Sequence, residues 1–240
     1  LSRAGELEAL AKGKISQASG EALPGVSGSR LLTIRAAKGR ALRAVFKRLA
    51  SEGSHRTAGS PPLYVREIAA YRLSEAIGLR LVPPTVERSV DGEVGALQLF
   101  VEDVQSLKEL QPARPPVDRD VLDRLFAFDH ILANVDRCSP GNLLLGQPTA
   151  GRTERPMTAI DHSHTFYEPW AEWVFLTNVK AVLQKVTTSP EPSADARRWM
   201  SAISPEKVER TLLKWGIDAD RAAQAARRTW ELETLSLVPR

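Results

Sequence analysis

Leu31-Leu32-Thr33-Ile34-Arg35 and Leu42-Arg43-Ala44-Val45-Phe46-Lys47 are short β-like runs of mostly apolar residues broken by single polar ones, and Ala37-Lys38-Gly39-Arg40 joins them at hairpin length. This pattern predicts a small antiparallel sheet. Two further runs, Thr85 to Arg88 and Gly95 to Val101, flank the Asp91-Gly92 turn signal and add strands. Between the two pairs the period changes: Val65, Ile68, Ala69, Leu73, Ala76 and Ile77 fall on one helical stripe that ends at Gly78. The first quarter is otherwise rich in Gly and Ser, and Ser51 to Pro62 has the composition of a mobile loop.

Beyond about Asp103 the helical period dominates. Val121, Leu122, Leu125, Phe128 and Leu132 follow Asp118, a candidate N-cap, after the Pro-rich stretch from Gln111 to Pro116. Further helices are expected over Ala171 to Val186, Ala194 to Ile203, Pro205 to Trp215 and Ala219 to Leu235, with Ser204-Pro205 and Asp218 as starts. The expectation is an α+β chain. Residues 1–103 form a small antiparallel sheet with one main helix, 104–240 form a helical part, and the hinge lies near Val101 to Val104.

Composition narrows the partners. With 240 residues and 42% hydrophobic content the chain can bury a substantial core. Lys and Arg number 33 against 29 Asp and Glu, a net charge of +4 spread without a polybasic block, so nucleic acid is not an expected partner. A basic helical nucleic-acid binder has only this modest charge in its favour. No apolar run is long enough to span a bilayer, and no signal pattern opens the chain. The single cysteine, Cys138, rules out an intramolecular disulfide and suits a reducing, cytoplasmic setting. Residue 1 is Leu, so targeting information could precede it.

The candidate chemistry sits in Asn134-Val135-Asp136-Arg137-Cys138-Ser139-Pro140-Gly141-Asn142, which is followed by an apolar run, and in Met157-Thr158-Ala159-Ile160-Asp161. Phosphoryl transfer needs one carboxylate to orient the attacking hydroxyl, and a second carboxylate with an amide oxygen to hold magnesium. Asp136 fits the first task, Asn142 and Asp161 the second. The alternative makes Asp136 a helix-end residue paired with Arg137, and Asn142 a turn former. Asp161 closes a run expected to be buried and needs a partner there. Lys47 is either a phosphate-binding lysine or a solvated strand-end lysine. Glu67 is either its ion-pair partner or a surface residue beside Arg66. Gly95 to Val101, with Gln98, Leu99, Phe100 and Val101 at its end, is either a strand that meets a purine or an edge of the core. A zinc site at His162 and His164 and a nucleophilic Cys138 have little support, because no further ligand or base is spaced to help. The tryptophans are expected to pack the core.

Val45-Phe46-Lys47, Arg66 to Tyr71, Val82-Pro83-Pro84-Thr85, Gly95 to Val101, Asn134-Val135-Asp136-Arg137 and Ala159-Ile160-Asp161-His162 appear in an order that resembles the atypical kinases. That group includes phosphatidylinositol 3/4-kinase-like bacterial proteins, HipA-type kinases, the actin-fragmin kinase and the secretory-pathway Golgi kinases. The resemblance runs from about Val45 to Phe166. It implies a two-lobed protein-kinase-like fold and use of ATP with Mg2+, or Mn2+. It would make Lys47 the phosphate lysine, Glu67 its partner, Gln98 to Val101 the adenine hinge, Asp136 the catalytic aspartate, and Asn142 and Asp161 the metal ligands. The loop departs from the Asp-Arg-His-x-x-Asn of many relatives: Cys138 replaces His, and one extra residue separates Asp136 from Asn142. The insertion is either absorbed in a wider turn or carries the amide out of metal reach. The expected activity is transfer of the γ-phosphoryl group of ATP to a hydroxyl on a protein or peptide. Lipid or small-molecule phosphorylation, AMP transfer and nucleotide binding without turnover are the alternatives.

Overall fold

The computed structural model describes residues 1–23, 29–36, 39–49, 59–110, 116–166 and 191–234, and side chains are not described for 17–22, 233 and 234. In chain order the elements are α1 (Arg3–Lys12), β1 (Lys14–Ala22), β2 (Arg30–Arg35), β3 (Ala41–Arg48), α2 (Leu63–Ala76), β4 (Thr85–Val90) and β5 (Glu93–Leu99). They continue with β6 (Gln105–Ser106), α3 (Leu107–Leu110), α4 (Arg119–Leu132), β7 (Leu143–Leu145), β8 (Met157–Ala159), α5 (Ala194–Ser201), α6 (Pro205–Lys214) and α7 (Ala219–Trp230). The expected helix over 171–186, the loop over 51–58 and the Pro-rich 111–115 lie outside the described residues.

The first sheet is antiparallel, in the order β1-β2-β3-β5-β4. The expected hairpins of β2 with β3 and β4 with β5 are present, the second turning at Asp91 and Gly92, both at positive φ. Two elements were not anticipated. α1 and β1 occupy the first 22 residues, where Gly and Ser obscure the pattern and α1 buries only Ala9 and Leu10. α1 forms locally because Ser2 accepts the Gly5 N–H as its N-cap. Ser16 to Ala22, in the Gly- and Ser-rich first quarter, lies in β1; residues 24–28 are outside the described set.

A second, three-stranded sheet, β6-β7-β8, is also antiparallel. Its hairpin matters most for the site: pairing Leu143 with Ala159 and Leu145 with Met157 brings the residues before β7 and after β8 to one end. α4 starts where expected, with Asp118 accepting the Asp120 and Val121 N–H groups at 2.9 and 3.3 Å. It ends at Ala133 in the left-handed region, φ +47°. Ser204 and Asp218 cap α6 and α7, also as expected.

The core has two parts. Leu10, Leu32, Ile34, Ala44, Phe46, Val86, Val90 and Leu97 fill one side of the first sheet. A larger cluster runs from Ala69, Tyr71 and Leu73 of α2 through Leu125, Phe126 and Phe128 of α4 to Val208 and Leu212 of α6. α2 therefore differs from its expected single stripe. Val65, Ala76 and Ile77 are only partly buried, while Arg66, Glu67 and Ser74 are buried with the apolar residues. Buried charges need specific partners, and these lie in the site.

Candidate active site

Lys47 stands near the end of β3, on the face opposite Ala44 and Phe46. Across the ladder Arg48 pairs with Gly95. A Cβ at Gly95 would overlap the Lys47 carbonyl oxygen and lie 2.8 Å from the Phe46 ring, so β5 approaches β3 closely only because residue 95 is Gly. The Lys47 side chain, 17% exposed, makes an ion pair with Glu67 of α2, itself 1% exposed, and a second with Asp161 at 3.2 Å. Burial pushes the Lys47 amine down, but the two carboxylates push it up by more, and it ends above the ordinary lysine value. Burial raises the Glu67 carboxyl against the opposing pull of Lys47. Glu67 Oε2 has no hydrogen-bond partner among the described residues.

Asp161 leaves β8 with a left-handed backbone, φ +57°. Such a conformation costs on the order of 1 kcal/mol for a non-glycine residue and persists where the surroundings over-determine it. The Lys47 charge holds its carboxyl well below the ordinary carboxylate range, against burial. Both of its hydrogen bonds, from Lys47 Nζ and from Ser163 Oγ at 2.9 Å, fall on Oδ1. Neither reaches Oδ2.

Asp136 and Asn142 meet despite the longer loop. A hydrogen bond from Ser139 N–H to the Asp136 carbonyl and one from Asn142 N–H to the Ser139 carbonyl, with a 3-10 turn at Pro140–Asn142, absorb the extra residue. Asn142 Nδ2 donates to Asp136 Oδ2 at 2.9 Å, which leaves the amide Oδ1 free to act as a ligand. The hairpin of β7 and β8 then carries Asn142 and Asp161 to the same end, tied by the Ile160 N–H to the Asn142 carbonyl at 3.1 Å. Burial, followed by the charge of Asp161, raises the Asp136 carboxyl. An amide oxygen and a free carboxylate oxygen match the hard-oxygen donor set of Mg2+, which keeps several waters and takes the rest from phosphate. Among the described residues no group of three or more His, Cys, Asp and Glu is placed to hold a metal together.

Arg137 speaks against the alternative in which it pairs with Asp136. It turns inward, 1% exposed, to Asp129 of α4, with Nε to Oδ2 at 2.7 Å and Nη2 to Oδ1 at 3.3 Å. Nη1 donates to the carbonyls of Asn142 and Ile160 at 2.7 and 3.0 Å, and Nη2 lies 3.0 Å from His162 Nε2. Burial, then Arg137, drives the His162 imidazole well below its ordinary value, so it is neutral and accepts from Arg137. Asn134 completes the frame, donating to Asp129 at 2.8 Å and accepting the Asp136 N–H at 3.1 Å. Asp129, Asn134, Arg137 and Arg66 were missed as site residues. The signal available was that polar residues recur inside an otherwise apolar stretch.

The segment considered for the purine is narrowed by the fold. Leu99 N–H donates to the Pro84 carbonyl at 2.9 Å and Phe100 N–H to the Arg43 carbonyl at 3.0 Å, while Gln98 Nε2 donates to Thr85 Oγ1 at 2.9 Å. Among these four residues, the Val101 N–H is the best placed to serve a ligand, because it follows the last sheet hydrogen bond. β5 is an interior strand, not an edge. Arg43 braces this exit, 4.3 Å over the Phe100 ring and in a bidentate pair with Glu102. Burial and the Asp136 charge raise the Cys138 thiol, away from a nucleophilic thiolate. Trp199 and Trp215 pack on the larger core, whereas Trp230 is 68% exposed, contrary to expectation; Trp170 and Trp173 are outside the described residues.

A sheet with a lysine-bearing third strand, a helix whose Glu meets that lysine, and a hairpin that presents Asn and Asp belong to a protein-kinase-like fold. Among solved structures, it is similar to the Helicobacter pylori proinflammatory kinase CtkA and to the Rio2 kinase of Chaetomium thermophilum in its ADP/Mg2+-phosphoaspartate complex. CtkA is 10% identical at a TM-score of 0.53, covering 95% of this chain and 94% of that one. Rio2 is 18% identical at 0.52, covering 92% and 71%. Among curated proteins, phosphatidylinositol 4-kinase gamma 2 of Arabidopsis thaliana is 27% identical over 185 residues, 61% of this chain and 33% of that protein. Phosphatidylinositol 4-kinase gamma 4 of Oryza sativa subsp. japonica is 27% identical over 185 residues, 64% and 32% respectively. The chain thus spans about a third of the length of the curated relatives it matches. No protein-family model matches it.

Proposed function

We propose that this chain is an ATP- and Mg2+-dependent kinase that transfers the γ-phosphoryl group to a hydroxyl on a protein or peptide. The observation that carries this reading is the Lys47 ammonium held between Glu67 and Asp161, residues on separate elements 20 and 114 positions away. Phosphoryl transfer is catalysed mainly by positioned charge, and a cation fixed by two carboxylates is ready for a polyphosphate. Lys47 neutralises phosphate charge and Glu67 fixes its position. Asn142 Oδ1 and Asp161 Oδ2 would hold Mg2+, or Mn2+ with the same oxygen donors, and the ion supplies further neutralisation of the phosphates. Asp136 orients the acceptor hydroxyl and takes its proton; its raised pKa favours that task. The Val101 N–H meets the purine.

A second reading keeps the site and changes the acceptor to an inositol lipid, favoured by the similarity to phosphatidylinositol 4-kinases. The test incubates the chain with Mg2+ and ATP, follows ADP and AMP release with intact-mass spectrometry, and offers a peptide mixture or phosphatidylinositol vesicles. ADP release with a phosphate-sized adduct on peptide, lost in Asp136→Ala and Asp161→Ala, is the expected result. Phosphate on lipid alone selects the second reading, and AMP release indicates AMP transfer. Nucleotide binding without turnover makes the chain a binding module, and no nucleotide binding overturns the assignment.

A further inference from the structure

Five consecutive carbonyl groups follow Asp161, and each has a donor. The His162 carbonyl accepts from Thr165 Oγ1 at 2.8 Å and that of His164 from the Val135 N–H at 3.1 Å. Arg66 Nη1 donates to the carbonyls of Ser163 and Thr165 at 3.3 and 2.7 Å, and Arg221 Nε donates to that of Phe166 at 3.2 Å. Left-handed backbone brackets the segment, with φ +57° at Asp161 and +60° at Phe166. Two turns of this kind hold only where their surroundings fix them.

Arg66 precedes Glu67 on α2, is 2% exposed, and also donates from Nε to the Pro61 carbonyl at 3.1 Å. Arg221 lies on α7 and reaches Ser60 Oγ at 3.2 Å as well. Both guanidinium groups thus join the start of α2 to the residues after Asp161. We propose that Arg66 and Arg221 are positioning residues for Asp161, holding 162–166 so that its carboxylate stays aimed at Lys47 and at the cation. The inference rests on the reading of Asp161 as a metal ligand. The planar fork of Arg66 serves three carbonyls in different directions, a task that a lysine point charge cannot reproduce.

The experiment compares Arg66→Lys, Arg221→Ala and, as a control within α2, Arg72→Ala, which removes the stacking of Arg72 on Trp215 at 4.1 Å and on Tyr71. Mg2+ is titrated into the ADP complex, ADP affinity is measured without metal, and hydrogen exchange is followed over 161–166. Arg66→Lys and Arg221→Ala are expected to raise the half-saturating Mg2+ concentration about tenfold, the usual scale for residues that orient metal ligands. Metal-free ADP affinity stays within about twofold, and exchange speeds up over 161–166 but not in β2 and β3. Arg72→Ala lowers the unfolding midpoint without moving the Mg2+ response. An unchanged Mg2+ response in the two test variants, or one no larger than the control's, overturns the proposal. If the wild-type chain binds no Mg2+-ADP, the kinase reading fails; the exchange result then decides the clamp alone, with unchanged exchange rejecting it.

Discussion

Arg137 and Lys47 are both cations withdrawn from water against carboxylates, but their surroundings differ in completeness. Arg137 and Asp129 are 1% and 0% exposed, and Arg137 also bonds two carbonyls and His162. Around Lys47 the set is less complete: among the described residues Glu67 Oε2 has no hydrogen-bond partner, the hydrogen bonds from Lys47 and Ser163 to Asp161 both fall on Oδ1, and the Asp161 side chain is 38% exposed. A completed buried network fixes a geometry. An incomplete one at the surface is where the charges of a ligand can finish the set. The contrast separates the frame from the site.

Breaking the frame has the largest expected effect on stability. Asp129→Ala leaves a guanidinium buried and unable to lose its proton, a loss of about 3 to 5 kcal/mol by urea unfolding. A loss below about 1 kcal/mol would mean that Arg137 finds water, and the frame would not be closed.

Lys47→Met tests the other side. Turnover is expected to fall by about two to three orders of magnitude, yet stability should fall less than in Asp129→Ala, because the stranded Glu67 can take up a proton. The pH dependence carries the sign. A carboxyl whose folded pKa is raised contributes stability that is present below its unfolded value and lost as pH rises through the folded one. Glu67, raised by burial even beside Lys47, behaves this way in the wild type, and more strongly in the variant, where the opposing pull of Lys47 is gone. Asp161 in the wild type behaves oppositely: its lowered pKa contributes stability above the ordinary carboxylate range that is lost as pH falls through the folded value. The stability gap between wild type and Lys47→Met should therefore be widest near neutral pH and narrow in acid, measured by urea midpoints across that range. A gap independent of pH would show that Glu67 does not titrate in the variant. The smallest effect belongs to Arg43→Ala. It removes an exposed pair with Glu102 and a ring contact, for a loss of about 1 kcal/mol or less.

The same contrast marks what could be read before folding. The hairpins around Gly39 and Asp91-Gly92 and the starts of α4, α6 and α7 rest on period and caps, which are local signals, whereas the grouping of Lys47, Glu67, Asp136, Asn142 and Asp161 rests on the resemblance to the atypical kinases and the order of its motifs along the chain. α1 and β1 were missed because few apolar residues stand out in their Gly- and Ser-containing sequence. Arg66, Asp129 and Arg137 were missed for a different reason. A charged residue counts as polar in any periodic pattern, so burial against a partner 8 or 99 positions away leaves no periodic trace. α2 shows the cost: its true buried face includes the residues that the pattern assigns to water.

Gly95 carries the same lesson into mutational tolerance. It has no functional group and touches no ligand in the proposed reaction, yet any side chain there would collide with the backbone of Lys47. A saturation scan scored on activity should rank this silent position with the charged residues, and a search for conserved chemistry alone would pass over it.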